Sequence, residues 1–342
     1  MKKTLIALAV AGAAVATGAN ASELYNQDGT SMTIGGRAEA RMSIQDGDVS
    51  DASRVRVNFL GKQEITDSLY GLGFYEAEYT TNDESSTSSD QDTLDSRYIY
   101  AGLGGSFGQV TYGKQDGAFV AVTDFTDIMD AHGGNASQEL AIAGDHIDNM
   151  LAYTGSFGDL SVNATYRFAD RDDDPVSGDA TSYDDNALDG YAVSGIYNFA
   201  DTGLAFGLGF AQQHGKLGAT AGDNDSSAMQ YLAAVSYTQD ALYLSAMYTN
   251  KNFDDTNNDY EGYEVAGQYT LDKTVFIATY NSGDKDDSTS KVNDLALEVA
   301  YMFKPNVKAY IDYDFNFVTG DEAANAVNGS EDEAMLGLRY DF

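Results

Sequence analysis

The chain has 342 residues, a formal net charge of −35 and no cysteine. Charge of that sign and size repels nucleic acid, which excludes DNA and RNA as partners, and without cysteine no disulfide can hold the fold. Gly 35, Tyr 24 and Phe 16, against two prolines and no tryptophan, fit long strands whose aromatics sit at a membrane interface better than they fit linkers or helical bundles.

At the start of the chain, Lys2 and Lys3 precede an apolar run from Leu5 to Ala19 and a small-x-small site, Ala19-Asn20-Ala21. This is the pattern of a secretory signal peptide, residues 1–21, removed to leave Ser22 as the first residue of a single domain, 22–342. The run falls short of the roughly 20 apolar residues a spanning helix needs, and no later run is longer. Any membrane crossing by the mature chain therefore requires strands.

From about residue 31 onward, apolar and polar residues alternate with period two, the mark of a strand with two unlike faces. The alternation predicts about sixteen strands: 31–45, 53–66, 69–81, 94–103, 107–115, 147–156, 159–169, 189–199, 202–213, 228–238, 241–252, 259–270, 273–282, 292–303, 306–318 and 333–342. Short connections such as Gly158-Asp159, Ala200-Asp201, Gln239-Asp240, Leu271-Asp272 and Lys304-Pro305 carry tight-turn residues. They alternate with long acidic ones: 82–92, 170–185, 254–259, 284–287 and 321–333. This sorting by length predicts an all-β fold, a transmembrane antiparallel β-barrel with short turns at one end and long loops at the other.

Parity along each strand assigns the faces. In 159–169, Leu160, Val162, Ala164, Tyr166 and Phe168 share one face, while Ser161, Asn163, Thr165 and Arg167 share the other. An Arg facing lipid at mid-depth costs about 2–4 kcal/mol, so the charged set lines the interior. By the same rule Arg37 and Arg41 point inward with Glu39 between them, as do Arg54, Arg56 and Lys62. Tyr98 and Tyr100 are expected to face outward, which turns Arg97 inward. Arg37, Arg41, Arg54, Arg56 and Arg97 thus form a basic pore wall in a chain with only 19 basic residues.

The connection 116–146 is too long and too apolar, with Phe119, Val120, Val122, Phe125, Ile128 and Met129, for a free surface loop. Its Asp124, Asp127 and Asp130 recur every three residues, as on a short helical turn. Such a segment is expected to fold into the lumen and turn an acidic edge toward the arginine wall.

Several stretches carry a family resemblance: Gly35-Gly36-Arg37, Arg54-Val55-Arg56-Val57-Asn58-Phe59-Leu60-Gly61-Lys62, Arg97-Tyr98-Ile99-Tyr100-Ala101-Gly102-Leu103, Asp124-Phe125-Thr126-Asp127-Ile128-Met129, Gly133-Gly134 and the closing Leu338-Arg339-Tyr340-Asp341-Phe342. The chain resembles Gram-negative general-diffusion porins, most closely those of the OmpU-like type, from its signal peptide to Phe342. The resemblance implies a homotrimer of sixteen-stranded pores in the outer membrane of a Gram-negative bacterium, surrounded by lipid and lipopolysaccharide. It implies that each pore is narrowed by an infolded third loop facing basic residues, with Arg37, Arg56 and Arg97 on the wall and Asp127 on the loop. Water, ions and small hydrophilic solutes would diffuse through passively, without a cofactor. Two departures stand out. Thr154 occupies the place of a further wall Arg, and Asp130-Ala131-His132 replaces the family's acid and proline late in the loop. A less basic wall is expected to favour cations.

Catalysis has little support. His132, His146 and His214 are scattered and show no triad or H-E-x-x-H setting. Gly102-x-Gly104 and Gly207-x-Gly209 lie in strand patterns and read as packing glycines. The acidic stretches Asp170-Arg171-Asp172-Asp173-Asp174 and Asp223-Asn224-Asp225 offer oxygens to a loosely bound Ca2+, but lack the twelve-residue EF-hand spacing. From the residues alone, a substrate-selective channel and an adhesin or receptor barrel stay open as alternatives.

Overall fold

The computed structural model describes residues 22–81, 93–169, 188–216, 225–254, 259–285, 291–319 and 331–342. The signal-peptide stretch, the candidate Ca2+ stretch 170–174, Asp223 and Asn224 of the other, and most of the long acidic connections lie outside the described residues. Alternation becomes strand along the described chain outside 116–146: β1 (Ser22–Gln27), β2 (Thr30–Gln45), β3 (Asp48–Asp51), β4 (Arg54–Thr66), β5 (Leu69–Thr80), β6 (Thr93–Gly105), β7 (Gly108–Gln115), β8 (Ile147–Phe157) and β9 (Leu160–Arg167) form the first half. The second half holds β10 (Asp189–Phe199), β11 (Leu204–Lys216), β12 (Asp225–Gln239), β13 (Leu242–Phe253), β14 (Tyr260–Leu271), β15 (Thr274–Lys285), β16 (Lys291–Lys304), β17 (Val307–Asn316) and β18 (Glu333–Asp341). A single short helix, α1 (Val120–Thr123), lies between β7 and β8.

Sixteen of these strands, β2 and β4 to β18, pair antiparallel with their chain neighbours and close into a barrel when β18 pairs β2 from Glu333↔Gln45 to Asp341↔Arg37. The expected strands are all present, with ends shifted by a few residues. Two short strands were not anticipated. β3 extends the hairpin at one end of β2, pairing Asp48 with Gln45. β1 pairs Ser22 with Ile34 on the same edge of β2 that β18 occupies further along. The first and last described residues thus share one edge, and Gly36 and Phe342 exchange backbone hydrogen bonds of 3.0 Å at the junction. A Cβ on Gly36 would sit 2.2 Å from the Arg56 carbonyl oxygen and 2.8 Å from the Phe342 ring. Glycine is required there.

The short turns adopt the geometry their residues permit. Asp201, Asp240 and Asp272 have φ of 61°, 51° and 51°, and Gly158 has 66°. This left-handed region suits Asp and Gly in two-residue hairpins.

Parity separates the faces. Outward positions such as Phe59, Ile99, Leu151, Leu208, Val265, Leu297, Ile311 and Leu338 are exposed apolar side chains. A continuous apolar exterior of this kind is costly in water and matched to hydrocarbon. Tyr and Phe two apart on the outward face make ring contacts, edge-to-face or tilted, near strand ends, as Tyr166 with Phe168, Tyr197 with Phe199, Tyr301 with Phe303 and Tyr313 with Phe315. They supply the interfacial belts that a chain without Trp must build from other aromatics.

The inner face is polar and closely packed, with Asn58, Gln230, Glu264, Asn281, Glu298 and Asp312 buried. Residues 116–146 contact this face. Phe119, Val122, Phe125, Leu140 and Ile142 join Leu188, Ile196, Leu232 and Met247 in one apolar cluster. Gly207 and Gly209 of β11 make room for it: a Cβ there would lie 2.9 Å from Val122 and 2.7 Å from Phe119. That is the packing role expected of this glycine pair.

Candidate functional site

Four of the five expected wall arginines meet around three glutamates. Arg37 of β2 stands directly opposite Arg56 of β4 in the ladder, an arrangement that like charges alone would oppose. Glu39 and Glu78 offset it. Arg37 lies 4.0 Å from Glu39 and 3.9 Å from Glu78, Arg54 lies 2.5 Å from Glu39, and Arg56 is ion-paired with Glu78. Arg97 of β6 reaches Glu76 at 3.1 Å and Glu78 at 3.4 Å. Arg41 stands apart: its Nε donates to the Met335 sulfur of β18 at 2.8 Å.

Arg97 faces inward, but the expected outward placement of Tyr98 and Tyr100 does not hold. The β5–β6 register shifts between Glu76 and Ala77, so that Tyr98 opposes Glu76 while Ser96 opposes Ala77. Arg97 is the extra residue of a bulge, and a bulge lets consecutive side chains point the same way. Tyr98 therefore turns inward and donates its hydroxyl to Asp116 at 2.9 Å, and Tyr100 packs with Leu60 and Leu72 inside.

The 116–146 segment begins from a pinned root, where the Gly117 and Phe119 amides donate to Gly144 and Ala143 carbonyls. It is then tied to strand after strand. The Tyr243 hydroxyl donates to the Phe125 carbonyl at 2.7 Å. Glu264 of β14 accepts from the Thr126 hydroxyl and from the Ala136 amide. Glu298 accepts the Asp130 amide at 2.7 Å, and Asp312 accepts the His132 amide at 3.1 Å. The His132 ring sits 3.1 Å from Asp312 and 3.0 Å from Glu333.

The three expected loop acids have separate fates. α1 ends at Thr123, so no helix carries them. Asp124 and Asp127 keep solvent contact although the segment and the wall crowd around them. Asp130 is not on the open edge: it pairs with Lys308 at 2.6 Å and Arg339 at 3.1 Å, and it anchors the segment to β17 and β18. Sequence reasoning missed Glu76, Glu78 and Arg339 as charges of the site. Parity on β5 places both glutamates inward, and only the identity of their partners was out of reach. It also missed Asp116 and Asp145, which flank the segment.

Confinement and mutual repulsion hold these carboxyls above the usual range. Burial by surrounding protein, then Asp127, Asp116 and Asp145, push Asp124 up to about 8. Burial and then Asp145 bring Asp116 and Asp127 to about 6, with Glu139 adding to the rise at Asp127. His132 goes the other way from most buried imidazoles. Burial opposes its charge, but Asp312 and Glu333 outweigh burial and raise it to about 10. His146, desolvated beside Arg97 and Arg56, falls to about 3 and is neutral.

Comparison with known proteins agrees with this architecture. A family model described as Gram-negative porin matches residues 4–321. Outer membrane protein U of Vibrio parahaemolyticus is 49% identical, over 100% of both chains. Among solved structures, Salmonella typhi OmpF in complex with daunomycin superposes with a TM-score of 0.78 at 20% identity, covering 94% of this chain and 100% of that one. OmpT of Vibrio cholerae in its trimer form gives 0.67 at 19% identity, covering 92% and 100%. At those identities the structures speak for the fold alone, while the full-length relative and the family match speak for descent. The chain belongs to the Gram-negative porins, outer-membrane proteins for passive diffusion.

Proposed function

We propose that each barrel is a water-filled channel with a mild preference for cations, narrowed by the 116–146 segment. The observation that carries this reading is an imbalance of charge. Arg37, Arg54, Arg56 and Arg97 are all drawn into pairs with Glu39, Glu76 and Glu78, which offset three of their four charges. Among the described residues, Asp124 and Asp127 have no ion pair or hydrogen bond on their carboxyls, and Asp145 has only the longer-range attraction of Arg97 and Arg56. A field left negative in a confined aqueous passage raises the local concentration of cations. The Debye length in physiological salt is about 8 Å, so a preference rather than strict exclusion follows.

The segment narrows the channel because its ties run from β11 through β18, crossing from one part of the inner wall to another. Arg54 of β4, two strands past β18 around the wall, reaches the Asp130 carbonyl at 3.5 Å. We read 22–342 as one barrel domain cut free after Ala21, a reading supported by the small-x-small site Ala19-Asn20-Ala21 after an apolar run. The homotrimer is supported by the fold shared with OmpT, solved in a trimer form. Lipid and lipopolysaccharide would contact the apolar exterior and the long loops. An adhesin role would sit on those loops, outside the described residues.

Liposome swelling with neutral sugars of graded size tests the channel. Uptake should fall smoothly with solute size and show no saturation. Saturable uptake of one sugar would favour a substrate-selective channel instead, and impermeable liposomes would contradict the reading.

A further inference from the structure

Between β5, β6 and the root of the 116–146 segment, the inner wall holds a recess of about 390 Å³ that runs on to β7, β8 and β9. Its sides differ in kind. On β5 and β6 it is lined by the rings of Phe74, Tyr98 and Tyr100, with the Phe74 centroid 5.8 Å from Tyr98 and 5.3 Å from Tyr100. Phe74 and Tyr100 are direct partners in the ladder, which keeps the two rings side by side. On the next three strands Gln109, Thr154 and Asn163 stand in one register row, Gln109 opposite Thr154 and Thr154 opposite Asn163. A threonine rather than a wall arginine at 154 leaves this row uncharged. Among the described residues the Gln109 and Thr154 side chains have no hydrogen-bond partner, and Asn163 has only a 3.5 Å contact with the Ser194 hydroxyl.

The charged groups around the recess are already engaged. Arg56 is ion-paired with Glu78, and Arg97 holds Glu76 at 3.1 Å. Asp116 accepts from the Tyr98 hydroxyl and the His146 amide, and Asp145 is attracted by Arg97 and Arg56. Asp124, held up to about 8, is mostly protonated at neutral pH. Ring faces and neutral hydrogen-bonding side chains are what the recess offers a solute. Aromatic side chains hold flat bases by stacking, and carboxamides pair with the donors and acceptors on a base edge. The volume lies within the range of small-molecule sites. A chain charge of −35 repels phosphate, for the same reason that it excludes nucleic acid. We infer that this recess binds a nucleoside, the unphosphorylated unit of base and sugar. The base lies against Phe74, Tyr98 and Tyr100, and its polar edge and the sugar hydroxyls meet Gln109, Thr154 and Asn163. The inference uses the channel reading only in that the solute enters from the bore.

The test is calorimetric titration of the full mature protein in detergent, at neutral pH, with adenosine, ribose and adenosine monophosphate. Adenosine should bind about tenfold or more tightly than either of the others, since ribose lacks the base and the monophosphate adds a repelled charge. Phe74→Ala should weaken adenosine by about tenfold and leave ribose unchanged. Gln109→Ala should weaken adenosine by about fivefold or more. Circular dichroism of each variant confirms a folded barrel. If Phe74→Ala misfolds, Gln109→Ala still decides the matter, because its side chain holds no other part of the described chain. Equal affinity for adenosine and ribose, equal affinity for adenosine and its monophosphate, or adenosine binding unchanged by Gln109→Ala overturns the inference. Because the titration is read without ion flow, its failure is separate from that of the channel reading, which a lack of conductance in bilayers would show.

Discussion

Arg97 and Tyr98 are adjacent in sequence and both point inward, because one extra residue in β6 breaks the alternation there. The break matters for the site: it brings Arg97 to Glu76 and Glu78 and Tyr98 to Asp116. Single residues also set the titration of the passage. Asp124 ionises at about 8, and Asp116 and Asp127 at about 6. A carboxyl with a raised value is charged above it and neutral below it, so negative charge is lost as pH falls through this window. The cation preference measured by reversal potential should therefore be greatest above about pH 8 and decline steadily to below pH 6. A flat profile across that range would contradict the charge assignment. Gly209 is a second such position. A Cβ there would meet Phe119 at 2.7 Å, so Gly209→Val forces overpacking that costs about 1–3 kcal/mol. Its thermal unfolding midpoint should fall below wild type, whereas substitution at Gly73, whose Cβ would meet nothing within 4 Å, should leave the midpoint unchanged.

The 116–146 segment is held as a unit by Asp130 and His132. Asp130→Ala removes ion pairs to Lys308 and Arg339, where a hydrogen bond to a charged group is worth about 1.5–3 kcal/mol. The expected result is noisier and larger single-channel conductance than wild type, with the barrel intact by circular dichroism. His132 is raised from its ordinary value of 6.5 to about 10, so its contribution is complete below pH 6.5 and lost only as pH climbs through about 10. Conductance noise that grows on alkaline titration in wild type, but not in His132→Ala, would show this. The strands themselves were readable from sequence, since a period of two names both the element and its inward face. The inward placement of Arg37, Arg54 and Arg56 followed directly. Contacts between elements distant in sequence were not readable. Nothing local to Asp130 marks it as an anchor rather than an open acid, because Lys308 and Arg339 lie on the last two strands. The bulge at Arg97 is invisible for the same reason: it is defined by the pairing with β5 and not by β6 alone. β1 escaped notice because six residues are too few to show a period.

At the scale of the whole molecule, a barrel exposes no edge only if its last strand meets its first. Here the junction lies at Gly36 and Phe342, beside β1. Gly36→Val places side-chain carbon against the Arg56 carbonyl and the Phe342 ring, and should lower the yield of folded barrel in refolding into detergent. Closure leaves an apolar exterior and a polar interior, and the balance of charge inside gives the channel its sign. The reversal potential of a bilayer holding the protein between unequal KCl solutions reads that balance most directly. Stepwise channels with a potential on the cation side are expected, moved toward zero by Asp124→Asn with Asp127→Asn. Channels that prefer chloride in wild type, or that keep the cation potential in the double variant, would contradict this.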